Sequence, residues 1–391
     1  MAEPPLKGVR VVEMARILAG PWAGQILADL GADVVKVESP EGGDDTRHWG
    51  PPFLTGSEGE NLSAAYYHSC NRGKRSIAVD FSTPEGAEVV RKLAMSADVL
   101  IENFKFGGLK KYGLDYEGLR KVNPRLVYCS ITGFGQTGPY APRAGYDFIV
   151  QGMSGLMSIT GAADGEPQKV GVAVSDLFTG LYAVIAIQAA LRHAEATGQG
   201  QHIDMALFDA QISVLANQNL NYLVSGGTPT RMGNAHPNIA PYEVLPVADG
   251  HIILAVGNDG QFRKFCAVID RADLADNPDF ATNAARVANR SALRVAMVEK
   301  LALFGRETLL AALEQAGVPA SPINTIGDMF ADPHTVARGM RLDLEDGHGA
   351  TLPSVRAPML LSETPLTYGR PSPRLGEHTA EILAELEKRE A

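Results

Sequence analysis

Short β-branched runs alternate with segments of helical spacing along the first half of the chain. The run GVRVVEMA (Gly8–Ala15) predicts a strand, GPWAGQILADLGA (Gly20–Ala32) predicts a helix, and DVVKVESP (Asp33–Pro40) predicts a second strand. A strand, a helix and a strand within roughly 30 residues form a βαβ unit, and such a unit requires a parallel sheet. The pattern repeats from RSIAVDF to RLVYCSIT, with Thr83 predicted to cap a helix that begins at Pro84. This half is therefore predicted to be a doubly wound α/β sheet.

The pattern changes near Gly171. The segment VGVAV predicts a short strand, and Ser175 or Asp176 opens a long apolar helix that runs to about Ala196. Another helix is predicted over FDAQISVLANQNLNYLVSG. The stretch Gly226–Leu245 is rich in Gly, Pro and Asn, which indicates a junction before a smaller α/β domain.

Composition and charge narrow the class of protein. The 391 residues are 45% hydrophobic and 20% charged, which is typical of a soluble globular chain, and the net charge of −10 argues against a nucleic-acid-binding protein. No apolar run reaches about 18 residues, so no membrane span is expected. The N-terminal sequence lacks the order of a secretion signal, and we expect a cytoplasmic enzyme. Three distant cysteines predict neither a disulfide framework nor a metal site: Cys70, Cys129 and Cys266.

The segment GFGQTG (Gly133–Gly138) matches the spacing of a dinucleotide-binding fingerprint. That fingerprint needs its last glycine inside a helix whose N-terminus faces the pyrophosphate. Here Pro139 and Pro142 follow at once, so we predict a loop and reject NAD binding.

Residues 70–125 form a basic segment, with 11 Lys and Arg against 7 Asp and Glu, an excess of 11 − 7 = +4. Two basic groups near predicted strand ends are candidates for holding a ligand with several phosphates. Their members are Arg72, Lys74 and Arg75 in the first group and Lys105, Lys110 and Lys111 in the second. The alternative is an ordinary solvated basic face.

Asp176 is the one acid between two apolar runs in KVGVAVSDLFTGLYAVIAIQAALRH. Its simplest interpretation is a helix cap. Ser175 is equally able to cap, which would leave Asp176 in the first turn, where the helix dipole is expected to keep the carboxylate ionised at neutral pH. An ionised carboxylate at a sheet edge is a candidate nucleophile.

Several longer segments, in their order along the chain, resemble the family III CoA-transferases. They include GVRVVEMARILAGPWAGQILADLGADVVKVESPEGGDDTR, NRGKRSIAVDF, VLIENF, YCSITGFGQTGPY, AGYDF, VGVAVSDLFTGLYA and GNAHPNIAPY. The resemblance covers about Leu6 to Leu386 and is strongest for the type that moves CoA among short dicarboxylates. It implies a large Rossmann-like domain from residues 1–225 and 331–391, a smaller domain from residues 226–330, and a homodimer of two interlocked rings.

The resemblance also implies roles for individual residues. Asp176 occupies the place of the nucleophile, which attacks an acyl-CoA and then carries CoA as an aspartyl thioester. Coenzyme A enters as a co-substrate, and no metal is required. The residues expected to bind coenzyme A are Ile17, Leu18, Ala19, Lys74, Arg75, Val79, Asp80, Asn103, Phe104, Lys105, Lys111, Ala144, Gly145, Tyr146 and Asp147.

Two departures and two alternatives accompany this interpretation. Phe106 stands where the family commonly has proline, and the Gly-rich loop of the oxalate-specific type is absent, which argues against oxalate as acceptor. A related racemase would need histidine before Asp147, whereas this chain has Tyr146, a poor match for proton exchange at neutral pH. A non-catalytic acyl-CoA-binding protein is the other alternative. Candidates for binding an acceptor's distal carboxylate are Arg16, Arg47, Arg143, Arg231 and His236.

Overall fold

A computed structural model describes residues 3–390. Its strands are β1 (Arg10–Glu13), β2 (Asp33–Glu38), β3 (Phe53–Thr55), β4 (Asn61–Ala64), β5 (Arg75–Ala78), β6 (Val99–Glu102), β7 (Val127–Thr132), β8 (His202–Ala206), β9 (Tyr242–Val247), β10 (Gly250–Ala255), β11 (Ala320–Ser321), β12 (Arg341–Glu345) and β13 (Thr351–Val355). Its α-helices are α1 (Ala19–Asp29), α2 (Ala65–His68), α3 (Pro84–Met95), α4 (Tyr116–Leu119), α5 (Asp147–Met153), α6 (Leu156–Ile159), α7 (Val174–Thr197), α8 (Leu207–Ser213), α9 (Asn217–Ser225), α10 (Asp259–Val268), α11 (Ala272–Asp276), α12 (Asn283–Ala288), α13 (Arg290–Leu301), α14 (Arg306–Gln315), α15 (Ile326–Ala331), α16 (Pro333–Ala337) and α17 (Thr379–Glu390). Short 3₁₀ helices cover Asp45–His48 and Lys110–Tyr112.

The central sheet is parallel and doubly wound, as the sequence predicts. Its six strands lie in the order β5-β2-β1-β6-β7-β8, and every neighbouring pair is parallel. The chain moves outward from β1 on one side and then returns to place β6 on the other. Strand order therefore reverses between β1 and β6, which is where open sheets of this type form a crevice.

Helices cover both faces of the sheet and bury separate apolar clusters. On one face, Ala183 and Ile187 of α7 pack with α1 and with the strands. On the other face, Val90 and Leu93 of α3 pack with Ile382 of α17. Burial on both faces explains the Val, Ile and Leu runs of β1, β2 and β6.

Helix α3 begins as the sequence predicts, with the Thr83 side chain accepting the N–H of Gly86 and Pro84 in the first position. The GFGQTG segment is a loop after β7, as predicted, and no helix begins before Asp147 among the described residues that follow it.

Two local predictions are wrong. The VGVAV segment is not a strand, because its backbone turns into the start of α7 at Val174. The helix predicted after β8 is divided into α8 and α9, with a break at Ala216, whose φ of 48° is incompatible with a continuous right-handed helix.

Helix α7 is the one helix of the described residues that is long and apolar enough to cross a membrane by length and composition alone. Core helices of soluble proteins pass the same test. Its contact with α1 depends on Gly180, where an added Cβ would lie 2.7 Å from the carbonyl oxygen of Ala19.

The chain divides into two compact units. The first contains the described residues up to Leu156, Val170–Leu223 and the residues from His334 onward. The second contains Met157–Lys169 and Val224–Pro333, with the antiparallel sheet β11-β10-β9 packed on helices α10 to α14 around Phe262 and Phe265. Residues 157–169, which the sequence assigns to the large domain, therefore belong to the second unit.

Candidate active site

Loops that follow three parallel strands enclose a cavity of about 490 Å³ in the first unit. The segments Arg16–Ala19 and Asn103–Lys105 follow β1 and β6, and Thr132 and Gly133 lie at the end of β7 and directly after it. The cavity thus lies at the carboxyl edge of the sheet, where the strand order reverses. The remaining wall comes from Phe81, Phe106, Gly108, Leu109, Lys111, Tyr112, Ile131, Ala141, Arg143, Ala144, Gly145, Tyr146, Asp176 and Leu207.

The loop after β1 is held in an unusual conformation. Ile17 has a φ of 73°, which is rare for a β-branched residue. Both carboxylate oxygens of Asp44 accept the N–H of Ile17 at 3.2 Å, and Lys36 forms a buried ion pair with Asp44 at 2.9 Å. Burial opposes ionisation of Asp44, but Lys36 and the hydrogen bonds from Thr46 outweigh it and lower the pKa of Asp44 to about 2. Asp44 is therefore a permanent anion that holds this loop.

Asn103 connects the loops after β1 and β6. Its Oδ1 accepts the N–H of Arg16 at 2.9 Å, and its Nδ2 donates to the Arg16 carbonyl at 2.7 Å. The side chain therefore replaces a strand pairing just beyond the ends of β1 and β6, and the two walls of the cavity are fixed to each other.

The charges on the cavity wall are mostly positive. Arg16, Lys105, Lys111 and Arg143 line it, and Asp176 is the single acid among the described residues that do. Arg16 pairs with Asp45 outside the cavity lining, at 2.9 Å. The guanidinium of Arg143 lies 4.0 Å from the Tyr140 ring centroid.

Three aromatic rings form one side of the cavity. The Phe81 ring packs edge-on against Phe104 at 5.3 Å and against Tyr112 at 5.6 Å between centroids. Phe81 lines the cavity, whereas its neighbours Val79 and Asp80 do not. Val79 is buried in the apolar cluster below, and the Asp80 carboxylate accepts the N–H of Ser82. Of this segment, Phe81 is the residue on the cavity wall, and the expectation that Val79 and Asp80 contact coenzyme A stays a prediction.

Asp176 is the third residue of α7 and does not cap it. The residue before the helix is Ala173, and its side chain makes no capping hydrogen bond. Ser175 does not cap the helix either, because its hydroxyl donates to Gln211 Oε1 at 2.8 Å. Instead, Asp147 Oδ1 accepts the N–H groups of Ser175 at 2.8 Å and of Asp176 at 3.4 Å. A carboxylate from α5 thus caps α7 and leaves the Asp176 side chain directed to the cavity.

The expected low pKa of Asp176 is not found. Burial, together with the negative charge of Asp147, raises the pKa of Asp176 to about 7. The expectation from the helix dipole is wrong because the sequence alone reveals neither the burial of Asp176 nor the second carboxylate beside the same helix turn.

Two glycines allow the loops on the far wall to approach closely. A Cβ on Gly145 would lie 2.4 Å from the Cα of Gly133, and a Cβ on Gly133 would lie 2.4 Å from the Cα of Gly145. Any side chain at either position must push Ala144–Tyr146 away from β7.

The basic residues before and at the start of β5 are structural rather than ligand-facing. Lys74 is fully buried, and its Nζ donates to Glu13, Asn71 and the Pro21 carbonyl. Arg75 pairs with acids that join α17 to the sheet, namely Asp33, Glu381 and Glu385. The expectation that Lys74 and Arg75 bind phosphate is therefore corrected, because neither lines the cavity and their hydrogen-bonding groups are already engaged.

The other residues expected to bind coenzyme A or an acceptor acid fall into two groups, those on the cavity wall and those away from it. Those on the cavity wall are Ile17, Leu18, Ala19, Asn103, Phe104, Lys105, Lys111, Ala144, Gly145, Tyr146 and Asp176. Asp147 lies just behind it. Arg47 is buried against Glu38 and Tyr67, so it is not available to an acceptor acid. In the second unit, Arg231 donates to the carbonyls of Ala162 and Gly165.

Comparison with known proteins agrees with this geometry. Residues 6–379 match the family described as CoA-transferase family III. The chain belongs to CoA-transferase family III. It is 64% identical over 385 residues to the succinate–glutarate CoA-transferase of Agrobacterium fabrum, spanning 98% of this chain and 96% of that protein. It is 42% identical over 383 residues to human succinyl-CoA:glutarate CoA-transferase, spanning 98% and 86%.

A solved structure supports the same assignment. The crystal structure of a CAIB/BAIF family protein from Brucella suis is 61% identical, has a TM-score of 0.88, and covers 99% of this chain and 100% of that one. The family III membership and the α/β fold predicted from the sequence are thus confirmed, and the protein is a transferase that uses CoA thioesters. Among residues 3–390, no cluster of three or more His, Cys, Asp or Glu side chains could hold a metal ion.

The sequence does not reveal four features of this family III site. The Asp44 contact with Ile17 and the Gly133–Gly145 contact join residues far apart in the chain. The conformation of Ile17 has no signal in the sequence, since β-branched residues normally avoid positive φ. The segment AGYDF, with an acid at a helix start, suggests that Asp147 caps a helix. It does not indicate that the capped helix is α7.

We predict that Gly145→Ala weakens binding of coenzyme A esters by about tenfold or more, because the displaced Ala144–Tyr146 wall no longer matches the ligand. Isothermal titration with a CoA ester measures the change. Gly171→Ala is the control, since a Cβ there meets no atom within 4 Å. Equal affinities for the two variants would contradict the prediction.

Proposed function

We propose that the protein transfers CoA from succinyl-CoA to a short dicarboxylic acid such as glutarate, through a covalent thioester on Asp176. One observation carries the proposal: among the described residues that line the cavity, four are basic and one, Asp176, is an acid, and that acid lies at the start of α7. The names of the relatives described above support succinyl-CoA and glutarate as the substrate pair.

The cavity suits the two ends of coenzyme A. Lys105 and Lys111 supply positive charge for its phosphates, and the rings of Phe81, Phe104 and Tyr112 supply an apolar wall for the adenine. Asp176 is then the group that meets the thioester. The Arg143 guanidinium forms no ion pair with a described residue, so we assign it to the distal carboxylate of the acid.

The proposed chemistry conserves one activated acyl bond throughout. The Asp176 carboxylate attacks the thioester carbonyl, forming a mixed anhydride and releasing the CoA thiolate. The thiolate then attacks the aspartyl carbonyl, which forms the aspartyl thioester and releases succinate. The acceptor carboxylate attacks that thioester, and the thiolate finally takes the acyl group of the acceptor and regenerates Asp176. No ATP is consumed, and the protein supplies position and exclusion of water.

The apolar surface supports a homodimer, in which a second copy of this chain covers α5, α7 and α8. These helices pack against one another and leave large apolar side chains exposed, including Phe148 at 57% and Ile185 at 63%. Others on the same helices are Ile149, Met153, Leu181, Tyr182 and Ile212. Monomers rarely expose this much contiguous apolar surface. A cytoplasmic location remains a prediction from the sequence.

We predict that Asp176→Ala lowers the transfer rate by a factor on the order of 10⁴ or more, as removal of a nucleophile does, while coenzyme A esters still bind. Mass spectrometry of the acyl-CoA products, with succinyl-CoA as donor and a series of dicarboxylic acids as acceptors, measures transfer. Hydroxylamine trapping in the same samples should label Asp176. Asp276→Ala, an exposed acid at the end of α11 in the second unit, is the control. Full turnover by the Asp176 variant would refute the mechanism.

We predict that Lys111→Ala and Arg143→Ala affect different substrates. The lysine variant should raise the KM for every CoA ester about tenfold, since it loses a charged hydrogen bond to phosphate. The arginine variant should raise the KM for dicarboxylic acids more than for monocarboxylic acids. Steady-state kinetics with both acid classes separates the effects, and Lys121→Ala, outside the cavity, is the control. Identical patterns for the two variants would contradict the assignments.

We predict that Ile185→Glu dissociates the homodimer, because it places a charge within an apolar interface. Sedimentation velocity should show a shift toward the 41.6 kDa monomer. Met95→Glu is the matched control, since Met95 is 53% exposed on α3, on the opposite face of the sheet. A monomeric wild-type protein would exclude the dimer.

A further inference from the structure

Asp147 is locked behind the cavity by hydrogen bonds to three groups. Its Oδ1 accepts the N–H groups of Ser175 at 2.8 Å and Asp176 at 3.4 Å. Its Oδ2 accepts from Nε2 of the fully buried Gln151 at 2.7 Å, and Gln151 Oε1 in turn accepts the N–H of Val170 at 2.9 Å. This carboxylate cannot turn away from α7 without breaking the whole set.

We infer that Asp147 is a positioning residue whose fixed negative charge disfavours the free carboxylate of Asp176 and so favours its neutral covalent states. The inference rests on the proposed function, since it concerns the aspartyl anhydride and thioester. It goes beyond the expected role of Asp147 as a residue that contacts coenzyme A, because Asp147 does not line the cavity.

The charge balance of the reaction gives the physical reason. Before acylation, the carboxylates of Asp147 and Asp176 both lie beside the first turn of α7. Formation of the anhydride moves the negative charge of Asp176 to the CoA thiolate, and formation of the thioester moves it to the departing acid. Repulsion between Asp147 and Asp176 therefore ends when Asp176 becomes covalently bound, and it returns only when the acceptor has taken CoA.

The other groups around Asp176 do not cancel this repulsion. Tyr66 on α2 is neutral, because burial and the charge of Asp176 raise the pKa of Tyr66 to about 12. Gln211 on α8 is uncharged, and Asp209 of that helix is exposed. The basic side chains Arg16, Lys105, Lys111 and Arg143 lie on the cavity wall. Asp147 is the charged neighbour that, after burial, raises the pKa of Asp176.

A neutral side chain could also cap α7, and this makes the inference testable. Asp147→Asn keeps an oxygen that can accept the N–H groups of Ser175 and Asp176 but removes the charge. A purely structural role predicts little change, whereas an electrostatic role predicts a change in both pH dependence and adduct stability.

The experiment mixes enzyme with succinyl-CoA and a fixed succinate concentration, without acceptor, over a range of pH. Intact-protein mass spectrometry then gives the rate of formation and the final fraction of the enzyme–CoA adduct. The wild-type rate should rise through a midpoint near pH 7, since the anion attacks and burial with Asp147 raises the pKa of Asp176 to about 7. For Asp147→Asn, the midpoint should fall by about half a pH unit or more, and the adduct fraction should fall about threefold.

Two controls make the outcome decisive. Asp115→Asn changes an acid of the same type, which caps α4, and should leave both measurements unchanged. If Asp147→Asn does not fold, because its amide would face the amide of Gln151, the double variant Asp147→Asn with Gln151→Glu replaces it. That variant restores the hydrogen bond and moves the charge farther away, so a smaller shift in the same direction is expected.

The failures of the inference and of the proposed function differ. If folded Asp147→Asn gave the same midpoint and the same adduct fraction as the wild-type protein, the inference would be overturned. The proposed function would stand, since the adduct on Asp176 would still form. Absence of any adduct in the wild-type protein would overturn the proposed function itself.

Discussion

Buried ion pairs beneath the cavity hold the loop on which the site depends. Glu13, at the end of β1, pairs with Lys36 at 3.0 Å and with Lys74 at 2.8 Å, and Lys36 also pairs with Asp44. Asp44 then holds Ile17 in its rare backbone conformation. Removing one member of such a set leaves an unpaired charge in the interior, which typically costs about 3–5 kcal/mol. The basic residues that look like phosphate ligands in the sequence therefore stabilise the floor of the site.

The start of α7 shows which of two electrostatic effects dominates. A helix dipole stabilises an anion in the first turn by about 0.3–1 kcal/mol at an exposed position. Raising the pKa of Asp176 from 3.8 to about 7 corresponds to roughly 4 kcal/mol in the opposite direction. Burial and a second carboxylate therefore outweigh the dipole, so the group is a stronger base than a surface aspartate and a costlier one to keep ionised.

The doubly wound sheet brings these parts to one place. Parallel strands deliver their following loops to a common edge, and the reversal of strand order leaves a crevice between the loops after β1 and β6. The Asn103 side chain joins the loops after β1 and β6 by two hydrogen bonds to the Arg16 backbone. The close contact of Gly133 with Gly145 holds the neighbouring wall against the end of β7. The position of the cavity thus follows from topology, and the charges on its wall come from the side chains of Arg16, Lys105, Lys111, Arg143 and Asp176.

The sequence by itself determined the parallel α/β architecture, the cap at Thr83, the family, and Asp176 as a candidate site residue, because each depends on local periodicity or on ordered motifs. Only the tertiary structure decided which basic residues face the cavity, since Lys74 and Lys105 look alike in sequence but differ in what surrounds them. It also decided the division of α8 from α9 and the assignment of residues 157–169 to the second unit. The pKa of Asp176 depends on a carboxylate 29 positions earlier in the chain. Burial and through-space charge are properties of contacts between distant segments, and a local pattern does not contain them.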